Sequence, residues 1–190
     1  LGLQAGDCST ARQDKVATAW SRDDRKAPFM DDVLLRTTFI VEDIEAAVEF
    51  YTSVFDWKVV YDVMLNVDRR FPPAAPEGAP CRLVIFRAED PLIGGIGFMK
   101  YTEHALAKGP DKNRALIGQG EAILVIQSAN PDAVYEKVKK TTARIIAPPS
   151  EWSVPSPTPG KIIKLRSLSL CDPNGIYMEC NYRYPGEYDA

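Results

Sequence analysis

Histidine is nearly missing from this sequence: its 190 residues contain one, His104, which lies in the connection 102–117 and is expected on a surface loop. No stretch approaches the ~20 apolar residues of a membrane-spanning helix. Nor is there a basic run, since 23 basic side chains meet 26 acidic ones for a net charge of -3. Neither a membrane span nor a nucleic-acid partner is therefore expected. Cysteine is scarce too: Cys8, Cys81, Cys171 and Cys180 show neither metal-knuckle spacing nor the density of a disulfide framework. They are expected as buried free thiols, which favours a reducing compartment. The apolar content, 45%, suffices to bury a core in one domain or in two tightly joined modules.

The last strand pair is the most informative stretch that is present. Between Ser167 and Tyr182, Asp172-Pro-Asn-Gly175 separates two alternating apolar runs, the pattern of a β-hairpin. Because strand side chains alternate faces, Tyr177, Glu179 and Asn181 share one side and Met178, Cys180 and Tyr182 the other. Glu179 is thus aimed away from the more apolar face. A four-residue turn at 172–175 would pair Cys171 with Ile176, which argues against a disulfide between Cys171 and Cys180.

Residues Asp90 to Tyr101 spell a similar plan, from Asp-Pro through glycine into an apolar strand. Superposing Gly95 on Gly175 sets Met99 opposite Glu179. Each copy follows a strand, a helix and a strand, at 33–41, 43–56 and 57–63, then at 122–126, 131–140 and 143–146. The chain reads as a β-α-β-β-β unit written twice. In the first helix Ile44, Ala47, Val48, Tyr51 and Phe55 keep the helical period behind Asp43 as N-cap. In the second, Val134 and Val138 form the stripe with Tyr135 beside it. Both helices are expected to pack on their sheets.

The runs Arg36-Thr-Thr-Phe-Ile-Val-Glu-Asp43 to Tyr51 and Val54-Phe-Asp-Trp-Lys-Val-Val60, closed by Asp172-Pro-Asn-Gly175 and Glu179, resemble the vicinal oxygen chelate superfamily. That group includes glyoxalase I, extradiol dioxygenases, fosfomycin-resistance enzymes, methylmalonyl-CoA epimerase and bleomycin-binding proteins. The resemblance implies an α+β fold: two paired βαβββ modules with curved mixed sheets enclosing a partly open cavity. The domain would span 33–185, with modules near 33–101 and 118–185, an arm or short helix at 1–32, and a tail at 186–190.

Catalytic members of that group hold a divalent metal through histidine or glutamate on the first strand of each module and glutamate on the last. Here the first-strand position carries Arg36. Its counterpart in the second module is Glu121 if the loop 128–131 is anchored on Ser128, or Ile123 if it is anchored on Asn130. Met99 stands where glyoxalase I would place a glutamate, and only Glu179 matches directly. An arginine offers a metal no lone pair. No cofactor is expected, with a divalent metal held by Glu179 and Glu121 as the alternative.

Arg36 then has two readings, recognition of an anionic ligand or an ion pair with Glu121 or Glu179. Glu179 would move a proton if unpaired and would lose base strength if Arg36 neutralised it. Tyr177, Glu121 and Met99 join Arg36 as candidate ligand contacts. Two proline-rich connections, 65–80 with Arg69, Arg70 and Phe71, and 148–160 with Trp152, are expected as irregular loops over a binding mouth. Trp152 would stack on a planar ligand or anchor its loop.

Three functions follow: a metal-free protein that binds a small organic, anionic or aromatic molecule; a metal-dependent lyase, isomerase or dioxygenase; and a ligand-free interaction module. A homodimer is expected from the resemblance. The compartment stays open between cytoplasm and, had a signal peptide been removed ahead of Leu1, an extracytoplasmic site.

Overall fold

Asp43 starts the first helix as its position suggests: its backbone is extended (φ -118°), and its Oδ1 accepts a hydrogen bond from Ala46 N at 2.9 Å. In this computed structural model, which describes residues 36–68, 74–88 and 94–190, that helix is α1 (Ile44–Phe55). It follows β1 (Arg36–Ile40) and precedes β2 (Lys58–Asn66), β3 (Pro80–Arg87) and β4 (Gly95–Tyr101). The second copy runs β5 (Leu124–Gln127), α2 (Pro131–Val138), β6 (Arg144–Pro155), β7 (Lys161–Cys171) and β8 (Tyr177–Arg183), with a short β9 (Tyr188–Asp189). The sheets are ordered β1-β4-β3-β2 and β5-β8-β7-β6, and β9 adds to β7. In each sheet the first strand pairs in parallel with the last and the other pairs are antiparallel, so both sheets are mixed. The expected pair of βαβββ modules is therefore present. The expected arm at 1–32, with Cys8, and the side chains of Arg69, Arg70 and Phe71 lie outside the described residues.

One core serves both modules. It gathers Ile44, Phe50 and Tyr51 of α1, Val84, Phe86 and Phe98 of the first sheet, Val138 of α2, and Leu168, Leu170, Met178 and Cys180 of the second sheet. The helix-side faces of both sheets meet there, so their other faces turn away from it. Shared packing also widens the buried stripe of α1, which takes in Phe50 and Val54 while Val48 and Phe55 stay partly exposed. Burying side chains of this size is worth roughly 1.5–3 kcal/mol each.

The Asp172 turn clasps the modules together. Asn174 Oδ1 accepts from Asp43 N at 3.0 Å and Asn174 Nδ2 donates to Asp43 O at 2.8 Å, while the Tyr51 hydroxyl donates to Asp172 Oδ2 at 3.3 Å. Asp172 Oδ1 also takes the amides of Asn174 and Ile176. Those internal bonds make the connection one residue longer than expected: Cys171 pairs with Tyr177, not Ile176. Gly175 has φ +85°, and a Cβ there would sit 2.7 Å from Lys112 Cα, so glycine is required twice over. Burial raises the Asp172 carboxyl to about 6, against the pull of its backbone amides and Tyr51.

The expected loop at 148–160 is strand over much of its length. Residues 148–155 are not loop: β6 continues to Pro155, pairing with β7 as far as Ile162. The register shifts between Ile145 and Ala147 and between Ala147 and Ser150. Pro148 and Pro149 fall within the second shift, where a residue without an N–H leaves no broken ladder bond.

Candidate functional site

Pairing assigns each outward-facing residue of the second sheet to a row. Arg144, Cys171 and Tyr177 form one; Ser169, Glu179 and Val125 the next; Ser150, Ser167, Asn181 and Gln127 the third; and Trp152 with Leu165 the fourth. The alternation that put Tyr177, Glu179 and Asn181 together holds, with Met178 and Cys180 buried on the opposite face. Glu179 is half-buried, accepts from the Tyr177 hydroxyl at 3.3 Å, and lies at the 3.5 Å limit from Asn181 Nδ2. Trp152 Nε1 donates to Ser167 Oγ at 2.6 Å, which fixes one edge of an indole that is 46% exposed. The sequence indicated Trp152 but placed it on a loop; it stands on strand β6, on the same sheet face as Glu179 and two rows from it.

The remaining predicted residues are dispersed. Arg36 is exposed on edge strand β1, and its Nε donates to Thr38 Oγ1 at 2.9 Å. No ion pair joins it to Glu179 or Glu121. Glu121 lies ahead of β5 in the connection, paired to Arg114 and accepting from the Gly118 amide. The helix cap settles the alignment: Asn130 Oδ1 receives the Ala133 amide as Asp43 receives that of Ala46. Ile123, not Glu121, is thus the counterpart of Arg36.

Met99 also shifts. Val41 N donates to Met99 O and Ser128 N to Asn181 O, so Met99 corresponds to Asn181, and Gly97 corresponds to Glu179. Met99 is 5% exposed, inside a second apolar cluster with Cys81, Leu83, Ile85 and Tyr101 that covers the outward face of the first sheet. A Cβ on Gly97 would meet Thr38 Oγ1 at 2.8 Å, so that position cannot carry a ligand-type side chain without displacing Thr38.

The positions at issue for a metal hold Arg36, Gly97, Ile123 and Glu179, a single carboxylate, and among the described residues no three histidine, cysteine, aspartate or glutamate side chains converge. These residues do not fit the divalent ion of catalytic relatives. His104 is an exposed loop residue, as expected, and Cys81, Cys171 and Cys180 are buried free thiols. Burial pushes the Cys180 thiol up to about 12 and also raises that of Cys171, where Arg144 and Arg114 pull the other way. An open depression of about 290 Å³ lies on the helix side between Trp57, Ser128, Asn130 and Lys137. Its lysine is already taken by Asp56 and the Val54 carbonyl.

Sequence reasoning missed Arg144. Its guanidinium is half-buried beside Cys171, donating from one terminal nitrogen to Cys171 Sγ at 3.4 Å and to Arg114 O at 2.9 Å. A charged residue at the start of an apolar strand was the available signal, but its facing depends on the register of β6 against β7.

The family model described as the Glyoxalase/Bleomycin resistance protein/Dioxygenase superfamily matches residues 33–152, and the chain belongs to that superfamily. Among solved structures it is similar to a trypanothione-dependent glyoxalase I from Leishmania major (14% identity, 80% of this chain and 87% of that one, TM-score 0.51). It is also similar to a glyoxalase I mutant from Zea mays (15% identity, TM-score 0.51), covering 79% of this chain but 44% of the maize chain. A fosfomycin resistance protein, FosX, from Mesorhizobium loti aligns at 21% identity over 80% of this chain and 91% of that one, with a TM-score of 0.45. At these identities the likeness is one of fold. No curated protein sequence matches. Among the described residues no helix is long and apolar enough to cross a membrane.

Proposed function

We propose that this protein binds a small organic molecule on the outward face of its second sheet, around Glu179, without the divalent metal of its catalytic relatives. The observation that carries this reading is Glu179 itself, a half-buried carboxylate held by neutral partners and matched by no cation. Such a group binds a ligand donor strongly, because its own solvation is already reduced. Trp152 supplies an exposed ring for a planar ligand to stack on. A homodimer would cover Ile40, which is exposed on edge strand β1.

The test is elemental analysis after equilibration with manganese, iron(II), zinc, nickel and magnesium and removal of free ions. No stoichiometric metal is expected. Retained metal that disappears in Glu179→Ala would replace this reading with a metal-dependent enzyme. Sedimentation velocity tests the dimer, for which a species of twice the chain mass is expected.

A further inference from the structure

Guanidinium and carboxylate groups that leave water normally do so in pairs. Arg82, Arg114 and Arg166 each meet a carboxylate. Arg144 meets none, although it is half-buried and its Nε is shielded from solvent without any hydrogen-bond partner. On the same sheet face Glu179 is half-buried and meets no cation. A second shielded polar atom without a partner, Asn181 Oδ1, belongs to the residue beside it. Arg144 and Glu179 are only half-buried, so the accessible parts of the guanidinium and the carboxylate are open to a partner from outside the chain.

The two charges do not satisfy each other because the sheet holds them apart. Arg144 stands on β6 in the row of Cys171 and Tyr177, whereas Glu179 stands two strands away on β8 and one row further along. Strand spacing of about 4.8 Å and a two-residue rise of about 6.7 Å separate their Cα atoms by roughly 12 Å. Cys171, Ser169 and Tyr177 fill the intervening positions, and none of them is a carboxylate, an ammonium or a guanidinium group.

We infer that this face selects a small zwitterion, with a carboxylate or similar anion at Arg144 and an ammonium group at Glu179, the two separated by a flat spacer. This rests on the ligand-binding reading of the Glu179 face and deepens it. Burial makes each half of the recognition costly to leave unmatched: a ligand with only one of the two charges leaves the other protein group desolvated and alone.

Three probes that share one ring separate the contributions by isothermal titration calorimetry on the whole chain: 4-(aminomethyl)benzoate, 4-methylbenzoate and benzylamine. The zwitterion is expected to bind at least about tenfold more tightly than either singly charged probe, the difference a charged hydrogen bond commands. Arg144→Gln should reduce it to the level of benzylamine without changing benzylamine itself, and Glu179→Gln should reduce it to the level of 4-methylbenzoate. Arg144→Lys, which keeps the charge but removes the planar fork of donors, is expected to fall between, and an unchanged thermal midpoint in that variant separates recognition from folding. Equal affinity of all three probes for the native chain would overturn the inference. If the zwitterion binds and weakens in Glu179→Gln and Trp152→Ala but not in Arg144→Gln, the binding face stands and its zwitterion selectivity falls. If none of the probes binds the native chain, both fall together.

Discussion

Matching positions of the two sheets carry opposite chemistry. Leu83, Ile85 and Met99 on the first sheet correspond to Ser167, Ser169 and Asn181 on the second, and Gly97 corresponds to Glu179. Behind them the helix-side residues agree: Phe98 and Ile96 in one, Cys180 and Met178 in the other, all apolar and all within a single core. The repeated unit is therefore constrained on the face it shares and free to diverge on the face it does not. In the first sheet the free face has been sealed with its own apolar cluster, and in the second it has been left polar and half-open.

The largest effect should come from making the sealed face resemble the open one. Met99→Glu places a carboxylate among Leu83, Ile85 and Tyr101 and is expected to cost about 3–5 kcal/mol in urea unfolding, whereas Val125→Glu, at a position 67% exposed, should change stability by no more than about 0.5 kcal/mol. Similar losses in the two variants would show that the faces do not differ as described.

Next is the clasp. Asp172 is 3% exposed and its carboxyl is raised from the ordinary 3.8 to about 6. The native state thus holds the proton over a range where the unfolded chain has released it. Stability from this group is full below the unfolded value and is lost as pH rises through about 6, an amount of about 3 kcal/mol. Asp172→Asn should remove that slope between pH 4 and 6, as read from chemical unfolding at a series of pH values. A slope that persists in the variant would assign it to another group.

Asn174→Ala, which gives up both bonds to the Asp43 backbone, should cost about 1–2 kcal/mol by the same assay. A smaller change in stability, about 1 kcal/mol, is expected for Trp152→Ala, because the indole is 46% exposed and gives up one hydrogen bond to Ser167. That variant should nevertheless weaken an aromatic ligand, so calorimetry and unfolding should disagree about its importance.

Much of the fold was legible because local signals agreed with one another. Asp43 and Asn130 announce their helices, Gly175 its turn, and strict alternation put Glu179 and Tyr177 on one face away from Met178 and Cys180. What escaped depends on register between strands far apart in sequence. The shifts around Ala147 decide that Arg144 faces the site and that Trp152 belongs to a strand, and no periodicity in 143–155 encodes them. Glu121 looked available because its partner, Arg114, lies in a connection without a pattern to read. The match of Met99 to Glu179 failed because glycines were aligned where backbone hydrogen bonds needed to be.

The clasp also sets a timetable for biosynthesis. Asp43 and Asn174 are 131 residues apart, so the backbone groups at the start of α1 wait for nearly the whole chain to be made before they find their partner. At about 5–20 residues per second, a ribosome needs about 7–26 seconds for that stretch, and the helix meanwhile keeps part of its apolar face in water. Until then the nascent first module also lacks Leu168, Leu170 and Met178, the late-made residues against which its own core side chains close.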